Sequence, residues 1–251
     1  MPRESKAARQ ARAIAASDRI DELYPDAECA LTHPESPFHY VIEVLLSAQT
    51  TDAAVNKVTP ELFRRWPTAY EMAEADPAEI EDVIRSIGFF RSKARHCVGC
   101  AQMVVADFGG ELPQTMEELT RLPGVGRKTA NLVLNDCFGI TEGVAVDTHV
   151  FRIASRLGLT RAPNPAAAEQ DLIALYNTEQ LARLNHQWVL FGREVCDARK
   201  PRCAECPLQD ICPSAFKDPL TKEQAAKKAA QAKKAAAKRR AARAAAKKED
   251  K

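Results

Sequence analysis

The sequence predicts an all-α fold, and two observations support this. Apolar residues recur at helical spacing along most of the chain. Segment 90–108 shows the pattern best, with one face formed by Phe90, Ala94, Cys97, Ala101, Val104 and Phe108. Signals of β-structure are missing, because the sequence has no Asn-Gly or Asp-Gly pair and no sustained alternation of apolar and polar residues. We therefore expect helices that bury their apolar faces against one another.

Capping residues mark several helix starts. A Ser, Thr, Asp or Asn side chain can accept a hydrogen bond from the free amides of a first turn, and proline fits the first helical position. A glutamate three residues after the cap can reach back to the cap residue. Such signals occur at three places: Asp76-Pro77 with Glu79, Thr115 with Glu118, and Asn164-Pro165.

Charge is distributed unevenly along the chain. The net charge of +2 combines +9 in residues 217–251 and +3 in residues 1–17, which leaves −10 on the segment between them. Two basic ends favour contact with a polyanion through the termini and local patches, the alternative being that they only keep the protein soluble. Residues 217–251 are Ala/Lys/Arg repeats that cannot bury a face, so we predict disorder or a fraying helix there.

The N-terminal segment, residues 1–17, is predicted to be a disordered basic arm. It lacks the apolar stretch of a secretory signal, and an organelle transit peptide is the minor alternative. No run of 18 uncharged apolar residues occurs, so we expect no membrane span. A bacterial, cytoplasmic, nucleoid-associated location follows as the expectation.

Residues 122–131, Leu-Pro-Gly-Val-Gly-Arg-Lys-Thr-Ala-Asn, lie between two predicted helices, the second running from about 127 to 137. Proline ends the first helix and the two glycines permit a tight reversal. The first amides of the second helix are then free to bind a phosphate oxygen. We predict a helix–hairpin–helix that holds the DNA backbone without reading sequence. Its expected contacts are Gly124, Val125, Gly126 and Arg127.

Lys128 lies in the first turn of that second helix and, taken alone, would be an ordinary solvated lysine. The positive end of the helix dipole favours the neutral amine, the form that nucleophilic attack and Schiff-base chemistry require. Asp147 is expected to cap the following helix. A carboxylate beside Lys128 could also stabilise positive charge at a sugar carbon or receive a proton, although it would favour the protonated amine. Sequence spacing leaves their approach open.

The eight cysteines form two sets. Four fall within 17 residues, a spacing that suits either zinc or an iron–sulfur cluster: Cys196, Cys203, Cys206 and Cys212. Without a secretory signal, a disulfide framework is not expected. The remaining four are predicted to be small buried apolar side chains: Cys29, Cys97, Cys100 and Cys137.

From about residue 18 to 216 the chain closely resembles bacterial endonuclease III, a family of bifunctional DNA glycosylase/lyases in the helix–hairpin–helix superfamily. The matching stretches are Leu-Leu-Ser-Ala-Gln-Thr-Thr-Asp (45–52), the hairpin (122–131), Val-Asp-Thr-His (146–149) and the cysteine group. The resemblance implies a 4Fe–4S cluster on those four cysteines. It also implies that Lys128 attacks C1′ of the damaged nucleotide, that Asp147 assists base loss, and that the Schiff base collapses by β-elimination.

The resemblance further implies substrates and DNA contacts. The substrates would be oxidised pyrimidines such as thymine glycol, or abasic sites, in double-stranded DNA, acted on by a monomer. Gln49 would fill the gap left by the flipped nucleotide. Phe89 occupies the position of a leucine wedge in relatives, so the larger ring departs from the family pattern. Phosphates would also meet a cationic loop between the first two cluster ligands: Arg199, Lys200 and Arg202.

The expected architecture is two helical domains that flank a DNA-binding cleft. Residues 30–140 would form a bundle with the hairpin, and residues 18–29 with 141–216 would form the cluster domain. Two other functions remain in view. A monofunctional adenine-type glycosylase typically lacks the lysine and carries an extra C-terminal domain, so Lys128 and the low-complexity segment 217–251 disfavour it. A non-enzymatic, cluster-bearing DNA-binding protein would need neither Lys128 nor Asp147.

Overall fold

The computed structural model describes residues 4–31 and 35–216, and these residues form helices and connecting turns without a strand. The all-α prediction is therefore confirmed. In chain order the helices are α1 (Lys6–Leu23), α2 (Pro37–Ser47), α3 (Asp52–Arg65), α4 (Ala69–Ala73), α5 (Pro77–Val83), α6 (Phe90–Phe108), α7 (Met116–Leu119), α8 (Arg127–Phe138), α9 (Thr148–Arg156), α10 (Pro165–Ile173) and α11 (Thr178–Glu194). Among the described residues, none of these helices is both long and apolar enough to cross a bilayer.

The prediction of a disordered arm over residues 1–17 is wrong from Lys6 onward, where α1 begins. Ser5 caps this helix by accepting a hydrogen bond from the Ala8 amide at 3.1 Å. Ala13 and Ala16 are fully buried because their small side chains let the helix pack closely against its neighbours. The basic charge of residues 1–17 favours a disordered arm, whereas the packing of α1 depends on the spacing of its alanines. The predicted C-terminal tail, residues 217–251, lies outside the described residues.

The buried apolar residues form two clusters, which we call the first and second core. The first core is built mainly from α2 to α8, and the second from α1, α9, α10, α11 and the cysteine segment. The largest fully buried side chains of the second core are Trp188 and Phe191 on α11 and Ile20 on α1. Helix α1 thus joins the second core well before residue 18, where that domain was expected to start.

Local capping signals place several helices as predicted. Asp76 accepts from the Ala78 amide at 2.9 Å, Thr115 from the Glu118 amide at 3.2 Å, and Asn164 from the Ala167 amide at 3.0 Å. Glu79 does not follow the predicted pattern. Its carboxylate instead forms an ion pair of 3.5 Å with the Arg65 guanidinium, because α5 packs against α3 and brings the two side chains together.

A polar network joins the two cores between α8 and α10. Glu169 is 2% exposed, and both of its oxygens accept hydrogen bonds from Arg127, at 2.9 and 3.0 Å. Asn131 donates to the same carboxylate at 2.8 Å and to the Val144 carbonyl at 3.2 Å. A side chain at Gly143 would collide with Glu169, so the glycine leaves room for the carboxylate. The network fixes the start of α8 relative to the second core.

Candidate active site

The segment between α7 and α8 is a tight hairpin, as predicted. The Leu122 carbonyl accepts from the Val125 amide at 3.0 Å. Gly124 has a φ of +82°, and a Cβ there would lie 2.8 Å from Leu45 Cδ1 and 3.0 Å from His96 Cβ. Only glycine meets both conditions, the left-handed backbone and the close approach. Gly126 begins α8 in extended conformation without a side-chain cap, so the first-turn amides of α8 have no side-chain partner.

Two of the predicted DNA-contact residues also make contacts within the protein. Val125 is 5% exposed in the first core, and its amide donates to the Leu122 carbonyl within the turn. The guanidinium of Arg127 is held by Glu169. The sequence could not indicate this pair, because Glu169 lies 42 residues further along the chain. What remains for a phosphate at this end of α8 is its row of free amides.

Lys128 and Asp147 line the same cavity, which lies between the two cores. Lys128 is exposed in the first turn of α8. Asp147 caps α9 as predicted, its Oδ1 accepting from the amides of His149 at 2.9 Å and Val150 at 2.8 Å. Both bonds use Oδ1, so they anchor the carboxylate through this one oxygen and do not occupy Oδ2. The cavity thus brings together an amine and a fixed carboxylate.

Several other side chains line this cavity, and the sequence indicated neither Asn185 nor His186 among them. Asp52 also lines it: Thr51 caps α3, and Asp52 forms an ion pair of 2.9 Å with Arg193 on α11. Asn185 is buried and donates to the Ala145 carbonyl at 2.6 Å. His186 follows it on α11 and also lines the cavity. Only the packing of α11 against the first core shows that these helical residues face a site.

Cys29 lines the cavity as well, in the middle of the segment between α1 and α2. Its thiol is half-buried, and burial raises its pKa. It therefore departs from the predicted inert, buried cysteine, and Cys137 is likewise only partly buried. The same prediction holds at Cys97 and Cys100, which are both fully buried in the first core.

Gln49 and Phe89 lie on two neighbouring loops. Both have left-handed backbone, with φ of +53° at Gln49 and +58° at Phe89. A Cβ at Gly88 would lie 3.9 Å from the Gln49 carbonyl oxygen, and the buried Lys93 donates to Thr50 at 2.6 Å, which ties the loops together. Phe89 is 67% exposed. A large aromatic side chain held outward in a costly conformation is typical of a functional position.

The four cysteines of segment 196–212 are half-buried, and Cys206 lies close enough to the other three for their charges to act on its thiol, so the four converge. Arg156 supports the segment. Its guanidinium contacts Cys196 Sγ at 3.4 Å and donates to the carbonyls of Asp197 at 2.7 Å and Ala198 at 2.9 Å. Four converging thiols on a braced backbone fit the ligand set of a 4Fe–4S cluster.

The loop between the first two of these cysteines is shaped by Asp197. Its carboxylate accepts from the amides of Arg199 at 2.8 Å and Lys200 at 2.7 Å, and these bonds lower the pKa of Asp197. Arg199, Lys200 and Arg202 are all exposed. The predicted cationic loop therefore presents three cations to solvent from a fixed turn.

Comparison with known proteins agrees with this geometry. Residues 42–177 match the model of the HhH-GPD superfamily of base excision DNA repair proteins, and residues 196–212 match the iron–sulfur binding domain of endonuclease III. The second match begins at Cys196 and ends at Cys212. The matched domain therefore begins and ends at the first and last of the four predicted cluster ligands.

Individual relatives extend the match over the whole fold. Endonuclease III of Synechocystis sp. is 50% identical over 196 residues, which are 78% of this chain and 89% of the relative. A non-covalent endonuclease III–DNA complex and a trapped endonuclease III–DNA covalent intermediate each superpose with a TM-score of 0.79 at 40% identity, over 83% of this chain and 97% of theirs. The chain therefore belongs to the endonuclease III family of helix–hairpin–helix base excision repair proteins.

Proposed function

We propose that the protein excises oxidised pyrimidines such as thymine glycol from double-stranded DNA and then cleaves the strand at the resulting abasic site. One observation carries this proposal: Lys128 and Asp147 line one cavity, directly beside the free amides at the start of α8. The amine supplies a nucleophile, and the carboxylate supplies proton transfer and electrostatic stabilisation. The trapped covalent complex of a 40% identical endonuclease III supports the same chemistry.

The reaction would proceed in two stages. The neutral amine of Lys128 attacks C1′ while the bond from C1′ to the base breaks, and Asp147 assists departure of the base through proton transfer. Opening of the sugar then gives a Schiff base between Lys128 and C1′. Loss of a proton from C2′ expels the 3′ phosphate by β-elimination, and water finally releases the lysine. The cluster would position the cationic loop and takes no part in these steps.

DNA would be held at three places around the cavity. The amides of α8 would receive one phosphate, and the cationic loop of Arg199, Lys200 and Arg202 would receive others. Gln49 and Phe89 would enter the stack where the damaged base has left it, which offsets the cost of flipping. We further propose that the protein acts as a monomer in the bacterial cytoplasm, in contact with the chromosome.

Borohydride trapping tests the proposed function, because the reductant converts a Schiff base into a stable amine. A thymine-glycol duplex is incubated with the full-length protein, with Lys128→Ala and with the control Lys57→Ala, which removes an exposed lysine of α3. We expect a covalent adduct and a strand nick with the wild type and the control, and neither with Lys128→Ala.

The other outcomes separate the competing functions. Base release without an adduct or nick in the wild type would indicate a monofunctional glycosylase. Binding without base release would indicate a non-enzymatic DNA-binding protein. An adduct that persists in Lys128→Ala would show that another amine is the nucleophile. Helical circular dichroism and cluster absorbance of each variant verify that the fold is intact.

A further inference from the structure

Three potential metal ligands from distant parts of the chain meet at the edge of the cavity. A sulfur of Cys29, a carboxylate oxygen of Asp136 and a ring nitrogen of His186 all lie within 4.8 Å of one another. They come from the segment after α1, from the last turns of α8 and from the middle of α11. The meeting is therefore a product of the tertiary fold, and no local sequence motif signals it.

We propose that Cys29, Asp136 and His186 form a Zn²⁺ site that is separate from the iron–sulfur cluster and inhibits the enzyme when it is occupied. Sulfur, nitrogen and oxygen ligands together suit Zn²⁺, which accepts all three at bond lengths of about 2.0–2.3 Å. Ligand atoms around a tetrahedral ion at such lengths are roughly 3–4 Å apart. The observed spread within 4.8 Å is thus closed by small side-chain movements.

Hydrogen bonds orient the ligands before a metal arrives. His186 Nε2 lies 3.0 and 3.1 Å from the two oxygens of Asp136, and the side chains of His186 and Asp136 are only 14% and 17% exposed. The Tyr40 hydroxyl donates to Asp136, as does Asn135 at 2.8 Å. These two bonds hold the Asp136 carboxylate in place beside His186. An ionised carboxylate with fixed outer partners is a prepared metal ligand.

The charge balance also favours a divalent ion. Binding converts the Cys29 thiol to a thiolate and releases its proton to solvent, while neutral His186 exchanges its Nε2 proton for one on Nδ1 so that Nε2 can bind the ion. The thiolate and the Asp136 carboxylate together then neutralise Zn²⁺. Three protein ligands leave a fourth coordination position, as in zinc sites that bind water or a small ligand. Because Cys29 and His186 line the cavity that holds Lys128, this position adjoins the proposed base pocket.

Inhibition follows from where the three ligands lie. His186 is on α11, which belongs to the second core, whereas Asp136 is on α8 and Cys29 packs against the first core. A bound ion would hold the two cores together across the cavity, and this opposes the entry of a flipped base. The predicted inhibition rests on the proposed function, whereas the predicted binding of Zn²⁺ does not.

Metal binding is tested by calorimetry on the full-length protein with its iron–sulfur cluster loaded, so that the four C-terminal cysteines are already occupied. Zn²⁺ is titrated into the wild type, Cys29→Ser and His186→Gln, and Co²⁺ serves as the spectroscopic probe. We expect one ion per chain, release of about one proton, and a thiolate-to-cobalt charge-transfer band. Each variant should lose the band or bind at least about tenfold more weakly, since even outer partners are worth that much.

Cys137→Ser is the matched control, because Cys137 neighbours Asp136 on α8 but lies outside the ligand trio. It should bind Zn²⁺ like the wild type. Absence of one-to-one binding, or binding that survives in both Cys29→Ser and His186→Gln, would overturn the site. Cluster absorbance and helical circular dichroism are measured for each variant. If both are unchanged, a loss of Zn²⁺ binding is due to the missing ligand and not to unfolding.

Inhibition is measured separately as the ratio of borohydride trapping with and without one equivalent of Zn²⁺. We expect the ratio to fall in the wild type and in Cys137→Ser, and to stay near one in Cys29→Ser. A wild type that binds one Zn²⁺ without loss of trapping would overturn the inhibitory role. A wild type that traps no DNA even without zinc would contradict the proposed function and leave the binding result standing.

Discussion

Glu43 carries a carboxyl group inside the first core. The residue is 1% exposed, and among the described residues its Oε2 has no hydrogen-bond partner. Burial raises the pKa of Glu43 to about 7, with only a hydrogen bond from Thr59 acting in the other direction. Between its unfolded pKa and pH 7 the folded protein therefore keeps a proton that the unfolded chain releases. This difference lowers the free energy of unfolding as pH rises through that window.

Glu43→Gln should therefore stabilise the protein above pH 7 and have little effect near pH 4. The rise in pKa from 4.5 to about 7 corresponds to at most about 3.5 kcal/mol, since one pKa unit is roughly 1.4 kcal/mol. Urea unfolding at pH 4.5, 6 and 8 measures the free energy of unfolding. The control Glu61→Gln removes an exposed carboxylate whose pKa is lowered by Arg64, so it should bring no gain at pH 8. Equal stability of Glu43→Gln and wild type at pH 8 would contradict the prediction.

Phe89 carries strain that its proposed role explains. Its left-handed φ costs about 1–2 kcal/mol in a residue with a side chain, and its ring is exposed. Phe89→Gly removes that cost but adds glycine's entropy cost of about 0.5–1 kcal/mol, so we expect a small net stabilisation of about 0.5 kcal/mol. Strand cleavage should fall, because nothing then supports the opened stack.

Phe89→Leu is the matching control for this prediction. It keeps both the left-handed strain and an apolar wedge, so cleavage should stay close to that of the wild type without a gain in stability. Thermal unfolding and single-turnover cleavage measure the two effects independently. Full cleavage by Phe89→Gly would show that the ring is not the wedge.

Among the structural elements, the hairpin before α8 depends most strongly on one residue. Gly124→Ala would force a Cβ into Leu45 and His96 at a left-handed φ, so we expect a loss of about 3 kcal/mol from strain and overpacking. Gly126→Ala is the control two residues away, where a Cβ meets nothing within 4 Å and φ is −100°. Its free energy of unfolding should change by no more than about 0.5 kcal/mol. Similar losses of stability in both variants would contradict the prediction, because the contacts and the left-handed φ at Gly124 would then not be the cause.

Elements with local signals could be predicted from the sequence, and those that depend on tertiary packing could not. Asp76, Thr115 and Asn164 cap helices because the cap and its amide are two or three residues apart. The cysteine segment was evident for the same reason. By contrast, charge predicts an arm over the segment that forms α1, because the partners of its alanines lie more than a hundred residues away. The Tyr176 hydroxyl, for example, donates to the Ala13 carbonyl at 3.0 Å.

The candidate site divides in the same way. Lys128 and Asp147 stand beside recognisable local features, the hairpin and a helix cap, so the sequence indicated both. Asn185 and His186 read as ordinary positions on an amphipathic helix, and only their burial against the first core reveals the cavity. Cys29, Asp136 and His186 come from three separate segments, so no local spacing in the sequence predicts that they meet.

At the scale of the whole molecule, the geometry of the cavity depends on the link between the two cores. Glu169 on α10 holds Arg127, the residue before Lys128, while Asp147 caps α9 in the second core. Glu169→Ala should cost about 2 kcal/mol, because it removes the acceptor that the half-exposed Arg127 and the buried Asn131 share, and Asn131 keeps only its bond to the Val144 carbonyl. Since α8 is then free to shift against α9, the rate of adduct formation should fall more than DNA affinity does.

Glu179→Ala, which removes an exposed acid at the start of α11, provides the comparison and should leave both the rate and the affinity nearly unchanged. A Glu169→Ala protein that traps DNA at the wild-type rate would show that the two cores position Lys128 and Asp147 without this link.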